Sequence, residues 1–393
     1  MKFNNLSSLV IVILLPFFSW AQSSPNIKME FGKGVQFTST DSLFTMAISG
    51  RIQSLFEAKH DLTTETNTAD FMLRRCRLNV QGNMFSPKFL YRIQIGFAHG
   101  DITAANSASQ NNLILRDAMI FYKANRWLRL GFGQTKLPGN RQRQVSSANL
   151  QLVERSIANN NFTLDRDKGL WAYTNFKLNK AILKSTVAIS SGEGRITSDK
   201  NGKLCYSGRV EFLPFGEFSQ NGDYTEGDNE KEATPKLSIA ATYSYNDAAT
   251  RTMGQLGDFL HNSEKANVHY YGADLILKYK GFSFESEWYN RTANSGIIIN
   301  QKDPTQQNYI VSGSTFMVQS SYFITKNNEI AIRYAQIQPD EKISSAMKAQ
   351  YEYVIGFSHY FNKHNLKLQS DVTFSENGTN QSLIYRLSGV VTF

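Results

Sequence analysis

Beyond its opening two dozen positions the chain has no run of eighteen apolar residues, so no helical membrane span can be drawn on it. Its two cysteines, Cys76 and Cys205, are too few for a disulfide scaffold. Nothing in the sequence brings them together, and they read as unpaired packing residues. Eight prolines and the absence of any low-complexity block leave no linker, which favours one large domain over two. The six histidines, His60, His99, His261, His269, His359 and His364, are scattered and form no His-Glu-x-x-His pair, so no metal and no cofactor is expected. Gly32-Lys33-Gly34 and Gly131-Phe132-Gly133 stand on no strand-to-helix turn and suggest no nucleotide site. Glu285 and Glu287, two apart on one strand and opposed by Arg291, read as ordinary wall charge more readily than as a glycosidase pair. No enzyme is expected.

What is present begins with a leader. Lys2 is a basic start, Leu9 to Phe18 an apolar core, and Ser19-Trp20-Ala21 offers small residues for cleavage, so residues 1–21 read as a Sec signal peptide. The chain carries 42 Lys and Arg against 33 Asp and Glu. That balance points to anionic partners, and secretion removes nucleic acid from them.

Past the leader the dominant pattern has a period of two. Leu383, Tyr385, Leu387, Gly389, Val391 and Phe393 share one face, and Arg386, Ser388 and Thr392 the other. Leu366, Leu368, Val372 and Phe374 alternate with Lys367, Gln369, Asp371 and Thr373; Phe282, Phe284 and Trp288 face away from Glu285, Glu287 and Arg291. Such segments run to about ten residues, the length a tilted strand needs to cross a bilayer. Charge on one face and aliphatics capped by aromatics on the other describe a wall that is wet inside and greasy outside. A soluble sandwich would bury those charges unpaired, at several kcal/mol each. The expectation is an all-β transmembrane antiparallel barrel of about 16 strands in a Gram-negative outer membrane, spanning residues 44–393 after a periplasmic segment at 22–43, with lipid and lipopolysaccharide around it.

The connections alternate as a barrel requires. Turns near Ser86-Pro87, Asn125, Asn179, Lys280-Gly281, Lys326-Asn327 and Asn362-Lys363 are tight, whereas those near 57–70, 99–113, 136–167, 191–203, 247–267, 292–313 and 338–348 are long and polar. Pro214 to Pro235 breaks the rule, being long on the short-turn side; without apolar alternation it reads as a disordered excursion, or else as a missed strand pair.

The inward face is rich in guanidinium groups, which bind oxyanions bidentately. Arg51, Arg75, Arg77, Arg92, Arg129, Arg209, Arg291, Arg333 and Arg386 are the expected pore-lining and anion-binding set, with Asp117, Glu211, Asp274, Glu285, Glu287, Glu352 and Asp371 sharing the lumen. Trp171, Tyr173 and Tyr289 are expected inward too. The loop 136–167 reads as a constriction carrying Arg141, Arg143, Glu154, Arg155, Asp165, Arg166 and Asp167. Leu150, Val153 and Ile157 recur there at helical spacing, with Ser147 or Asn149 as cap and Asn159-Asn160-Asn161 as stop.

Arg74-Arg75-Cys76-Arg77-Leu78, Leu115-Arg116-Asp117-Ala118, Gly131 to Pro138, Leu152 to Ser156 and Asp165 to Gly169 resemble, in order, the successive blocks of the phosphate-selective porin O and P family, in its Bacteroidetes branch. The resemblance implies a sixteen-stranded porin that assembles as a homotrimer and passes small anions such as phosphate by passive diffusion. The lysine cluster of the best-known members has no counterpart here, which leaves the solute open. The alternatives are a channel for organic acids or sugars and a barrel-borne hydrolase.

Overall fold

The computed structural model describes residues 26–99, 114–195 and 202–393; the expected leader at 1–21 lies outside them. Sixteen antiparallel strands form one wall: β1 (Thr45–Asp61), β2 (Thr66–Met84), β3 (Ser86–Gly96), β4 (Leu115–Lys123), β5 (Leu128–Lys136), β6 (Arg166–Leu178), β7 (Ala181–Ser190) and β8 (Cys205–Leu213). They continue with β9 (Lys236–Ala249), β10 (Ala266–Tyr279), β11 (Phe282–Ala293), β12 (Gly313–Phe323), β13 (Asn328–Pro339), β14 (Gln350–Asn362), β15 (Leu366–Asn377) and β16 (Asn380–Thr392). Each pairs with its chain neighbours, and β16 closes on β1 from Ser382↔Asp61 to Thr392↔Arg51, so the barrel has no free edge.

The pleat sorts the side chains. Ile52, Ile93, Phe132, Val187, Trp288, Ile332, Ile355 and Leu383 stand exposed on the outside, the surface that lipid covers. Arg51, Gln53, Arg209, Glu285, Arg333 and Asp371 are inside and buried, because the lumen is largely filled. At the lower rim a two-residue loop joins β10 to β11, with Lys280 and Gly281 both at positive φ, as a tight hairpin demands.

Three features depart from the sequence expectation. The 57–70 connection is no long loop: β1 and β2 stay paired to Asp61↔Thr66, because polar alternation carries the ladder beyond the bilayer. Residues 26–38, within the expected periplasmic segment, form a hairpin (Asn26–Glu30 with Gly34–Thr38) that joins the wall through Val35↔Ile48 and Thr38↔Thr45. Finally, 214–235 is no disordered excursion. It turns up into the barrel as a plug with Asp223, Glu226, Asp228 and Glu232 buried. Its acids are polar-bonded where an alternating strand would be apolar: Asp223 pairs with Lys184 at 2.5 Å, and the Asp228 carboxylate accepts from Gly281 N at 2.7 Å. The missing alternation had reported a lack of strand, not a lack of structure.

His364, in the turn between β14 and β15, ties this plug to the wall. Its Nε2 lies 3.1 Å from the Glu226 carbonyl and its Nδ1 3.3 Å from Lys367 Nζ, so one nitrogen donates and the other accepts. Burial, with Lys367 and Lys278 nearby, pushes its pKa well below the usual imidazole value. The unfolded chain therefore takes up a proton first, and the stability His364 contributes is complete above about pH 6.5 and lost as the pH falls toward the folded value. Thermal unfolding at pH 7.5 and 5.5 should show a smaller fall in midpoint for His364→Gln than for the unaltered chain; equal falls would refute this role.

Candidate functional site

From the upper end, the loop between β5 and β6 dips into the barrel, its neck closed by Leu137 N to Asp165 O at 2.9 Å. It holds two short helices, α1 (Arg141–Gln144) and α2 (Ile157–Asn161). Ser156 caps α2 by accepting from Asn159 N, and α2 ends at the expected asparagines. The stretch from Leu150 to Ser156, expected as helix, is irregular and bends through Gln151 to Glu154. The wall takes the backbone groups a helix would pair internally. Lys367 Nζ donates to Leu150 O at 2.5 Å, Ser358 Oγ to Gln151 O at 2.8 Å and Arg333 Nη1 to Glu154 O at 2.9 Å, while Val153 N donates to Asp371 at 3.0 Å. Apolar spacing survives because Leu150, Leu152 and Val153 still need burial.

Glu154 is the loop's charged anchor. Arg74 Nε lies 2.5 Å and Arg75 Nη2 2.8 Å from its two oxygens. Two consecutive arginines reach one target because Gln53 pairs with Arg75 and Ser54 with Leu73, leaving Arg74 as the extra residue of a β-bulge. A second bulge does the same on β4: Gln94 pairs with Asp117 and Ile95 with Leu115, so Arg116 and Asp117 are both buried. Strict alternation assigns Arg74 and Arg116 to the outside, which is why neither is in the expected lumen set. Burial alone would raise the Glu154 pKa, but the guanidiniums of Arg75 and Arg74 override it and hold the carboxyl well below the usual range.

The other expected loop residues divide between packing and pore. Arg141 is fully buried, with Nε 2.8 Å from Asp274 and Nη1 3.0 Å from the plug's Asp223 carbonyl. Arg143 pairs with Asp165, Arg166 with Asp117 at 2.8 Å. Asp167 accepts from Ser191 Oγ and Gly192 N, both at 2.6 Å, away from the lumen centre. Plug and loop touch directly, Glu226 N donating to Asn149 O at 2.9 Å.

Together these inserts fill the side of the barrel built by β8 to β15. Among the described residues a cavity of about 910 Å³ stays open along β1 to β7, reaching Arg209 and Glu211 of β8. Its lining includes Arg77, Arg92, Arg116, Arg129 and Lys136 from the wall, and Arg143, Arg155, Arg166 and Arg209 beside or beneath the loop. Among the described residues two carboxylates, Asp117 and Glu211, stand against these nine cations. Arg129 is gripped by aromatic faces, its guanidinium 4.4 Å from the Tyr173 ring and 4.8 Å from Phe121. Among the described residues Arg129, Lys136 and Arg155 have no carboxylate within ion-pair distance; Lys136 and Arg155 rest on loop carbonyls.

The remaining arginines of the expected set point inward but end on the inserts or the wall. Arg51 donates to Ser147 at 2.9 Å, and Arg333 pairs with Glu352 at 2.9 Å. Arg386 reaches Glu57 at 2.8 Å, and Arg291 donates to the carbonyls of Asn161 and Thr163 at 2.8 and 3.2 Å. Trp171 and Tyr289 are buried beside the loop, Tyr289 stacked on Tyr270 with ring centroids 5.0 Å apart, so of the three expected inward aromatics only Tyr173 lines the cavity.

Residues 46–383 match the family described as phosphate-selective porin O and P. No curated protein matches the chain in sequence. Among solved structures, an anion-selective porin from Comamonas acidovorans superimposes with a TM-score of 0.57 at 10% identity, over 89% of this chain and all of that one. The outer membrane channel DcaP of Acinetobacter baumannii gives 0.55 at 12% over 91% and 99%, and OmpF of Salmonella typhi 0.56 at 13% over 89% and 98%. At these identities the likeness is one of fold.

The anchoring of Glu154 predicts a test. Glu154→Gln leaves Arg75 buried without its counter-charge, a change that costs about 3–5 kcal/mol in buried pairs. The loop should loosen, and single-channel conductance in a planar bilayer should rise and become noisier. In the unaltered chain the depressed pKa keeps the clamp intact above the ordinary carboxylate range and loses it only as the pH falls well below about 4.3. Conductance should thus hold steady from pH 7 to 5; a variant indistinguishable from wild type would contradict the anchor.

Proposed function

We propose that this chain, which belongs to the phosphate-selective porin O and P family, passes small anionic solutes by passive diffusion along the cationic half of its lumen. One observation carries the reading: among the described residues nine cations and two carboxylates line the open cavity, while the other acids of the barrel are concentrated where the inserts bury them. A single-sign wall of low-dielectric protein focuses field and raises the local concentration of counter-ions. Guanidinium groups suit oxyanions in particular, since their paired donors match two oxygens at once. Phosphate fits this chemistry, and so do small carboxylic acids. A neutral sugar fits it less well, because Trp171 and Tyr289 are not available for stacking.

The anion-binding set proposed for the open pore is Arg77, Arg92 and Arg129, joined by Arg116, with Arg143, Arg155 and Arg166 at the constriction, while Arg209, held by Asp274 and Glu211, borders the cavity from the filled side. Arg51, Arg75, Arg291, Arg333 and Arg386 support it from behind by holding the loop and the wall. Assembly as a homotrimer in outer-membrane lipid and lipopolysaccharide, after Sec export and removal of residues 1–21, completes the proposal; the mass of the detergent-extracted complex decides the trimer.

Phosphate added to one side of a bilayer carrying chloride current should reduce that current. Arg77→Gln with Arg92→Gln removes charge-assisted bonds worth about 1.5–3 kcal/mol each, so half-block should need at least about tenfold more phosphate. Block unchanged in the double variant would refute the assignment of these residues, and block by dicarboxylates alone would move the solute class to organic acids.

A further inference from the structure

The junction where loop, plug and wall meet holds a group of polar atoms that the protein leaves unmatched. Glu285 on β11 and Gln319 on β12 are direct cross-strand partners on the inward face. On the facing inserts, Gln151 N donates to Glu226 Oε2 at 3.0 Å, which sets a loop residue against a plug residue. All four are no more than 1% exposed. Two further contacts bring the pairs to the same place: Gln151 O accepts from Ser358, and a Cβ on Gly227 would lie 2.5 Å from Glu329, which itself accepts from Ser321, two residues along β12 from Gln319.

Both oxygens of Glu285, Oε1 of Glu226, Oε1 of Gln151 and Oε1 of Gln319 have no hydrogen-bond partner among the described residues. Orphaned donors in the same region are fewer, namely Nε2 of Gln319 and of Gln142. Among the described residues neither carboxylate is in an ion pair, and the neighbouring cations are committed elsewhere, Arg333 to Glu352, Arg141 to Asp274, and Lys278, Lys367 and Arg155 to the carbonyls of Thr225, Leu150 and Gln142. A buried carboxylate left in this state costs several kcal/mol. One proton would satisfy one oxygen and leave the others. A hard divalent cation satisfies all of them at once, because it takes six to eight oxygens and tolerates irregular geometry.

We propose that a divalent cation of the calcium type binds at this junction, held by Glu226, Glu285 and the amide oxygens of Gln151 and Gln319, and fastens the plug to the constriction loop. Among the described residues no three His, Cys, Asp or Glu side chains converge as a metal cage; this site is built from two carboxylates and two amides. An all-oxygen set of that charge excludes the softer transition metals in favour of calcium.

The test uses the full mature chain refolded in detergent from lipopolysaccharide-free material and stripped with chelator. Calorimetric titration with calcium chloride should show one saturable equivalent, and the thermal midpoint should rise by several degrees at saturation, with magnesium weaker. Glu285→Gln should abolish both responses; should it fail to fold, as judged by the mobility of the unheated protein in a gel, Glu226→Gln on the plug serves instead. Absence of a saturable equivalent in the unaltered chain, or full retention of it in a folded Glu285→Gln or Glu226→Gln chain, would overturn the proposal.

Discussion

Compensation of inward charge governs this barrel. A strand that crosses lipid with one face must turn every second residue into the lumen, and here those residues include arginines, lysines, aspartates and glutamates on nearly every strand. Water can solvate them, or protein can. On the β8 to β15 side protein does so: Arg141, Asp274, Arg209 and Glu211 form one buried cluster, with Arg209 Nη1 2.5 Å from Asp274 and Arg141 Nε 2.8 Å from its other oxygen. On the β1 to β7 side the solvated option is kept, and the charges left there are almost all positive.

The two inserts follow from the same constraint. The constriction loop is not held by a hydrophobic core of its own so much as by wall side chains that donate to its carbonyls, from Lys367 at Leu150 to Arg333 at Glu154. A short plug from the opposite rim completes the filling and meets the loop at Asn149 and Gln151. As an outer-membrane porin of the phosphate-selective O and P family, the chain thereby turns a wide sixteen-stranded barrel into an eccentric, cation-lined passage. Channel function needs no reactive group, and the buried carboxylates serve structure.

Much of this was legible in the sequence because a lipid-crossing wall imposes a two-residue period that loops do not share. The strand count, the closure and the inward direction of Arg75, Arg77 and Arg209 follow from it. Legibility failed where the period itself breaks. At the bulges of β2 and β4 one extra residue turns its neighbour inward, which hid Arg74 and Arg116. In the loop, Leu150, Val153 and Ile157 kept a helical spacing that the wall's hydrogen bonds overrode. In the plug, acids at irregular intervals read as disorder, since their partners Lys184 and Gly281 are distant in sequence and meet them only once the barrel closes. Trp171 and Tyr289 were placed on the correct face, but whether an inward ring meets water or the loop is decided by the loop's path.

The central claim is that the open half of the lumen is electrostatically positive, and reversal potential tests it most directly. The unaltered mature chain, reconstituted in a neutral-lipid bilayer under a potassium chloride gradient, should reverse near the chloride equilibrium potential and shift toward zero as the salt rises and screens the wall. Reversal on the potassium side, or no selectivity at low salt, would contradict the account.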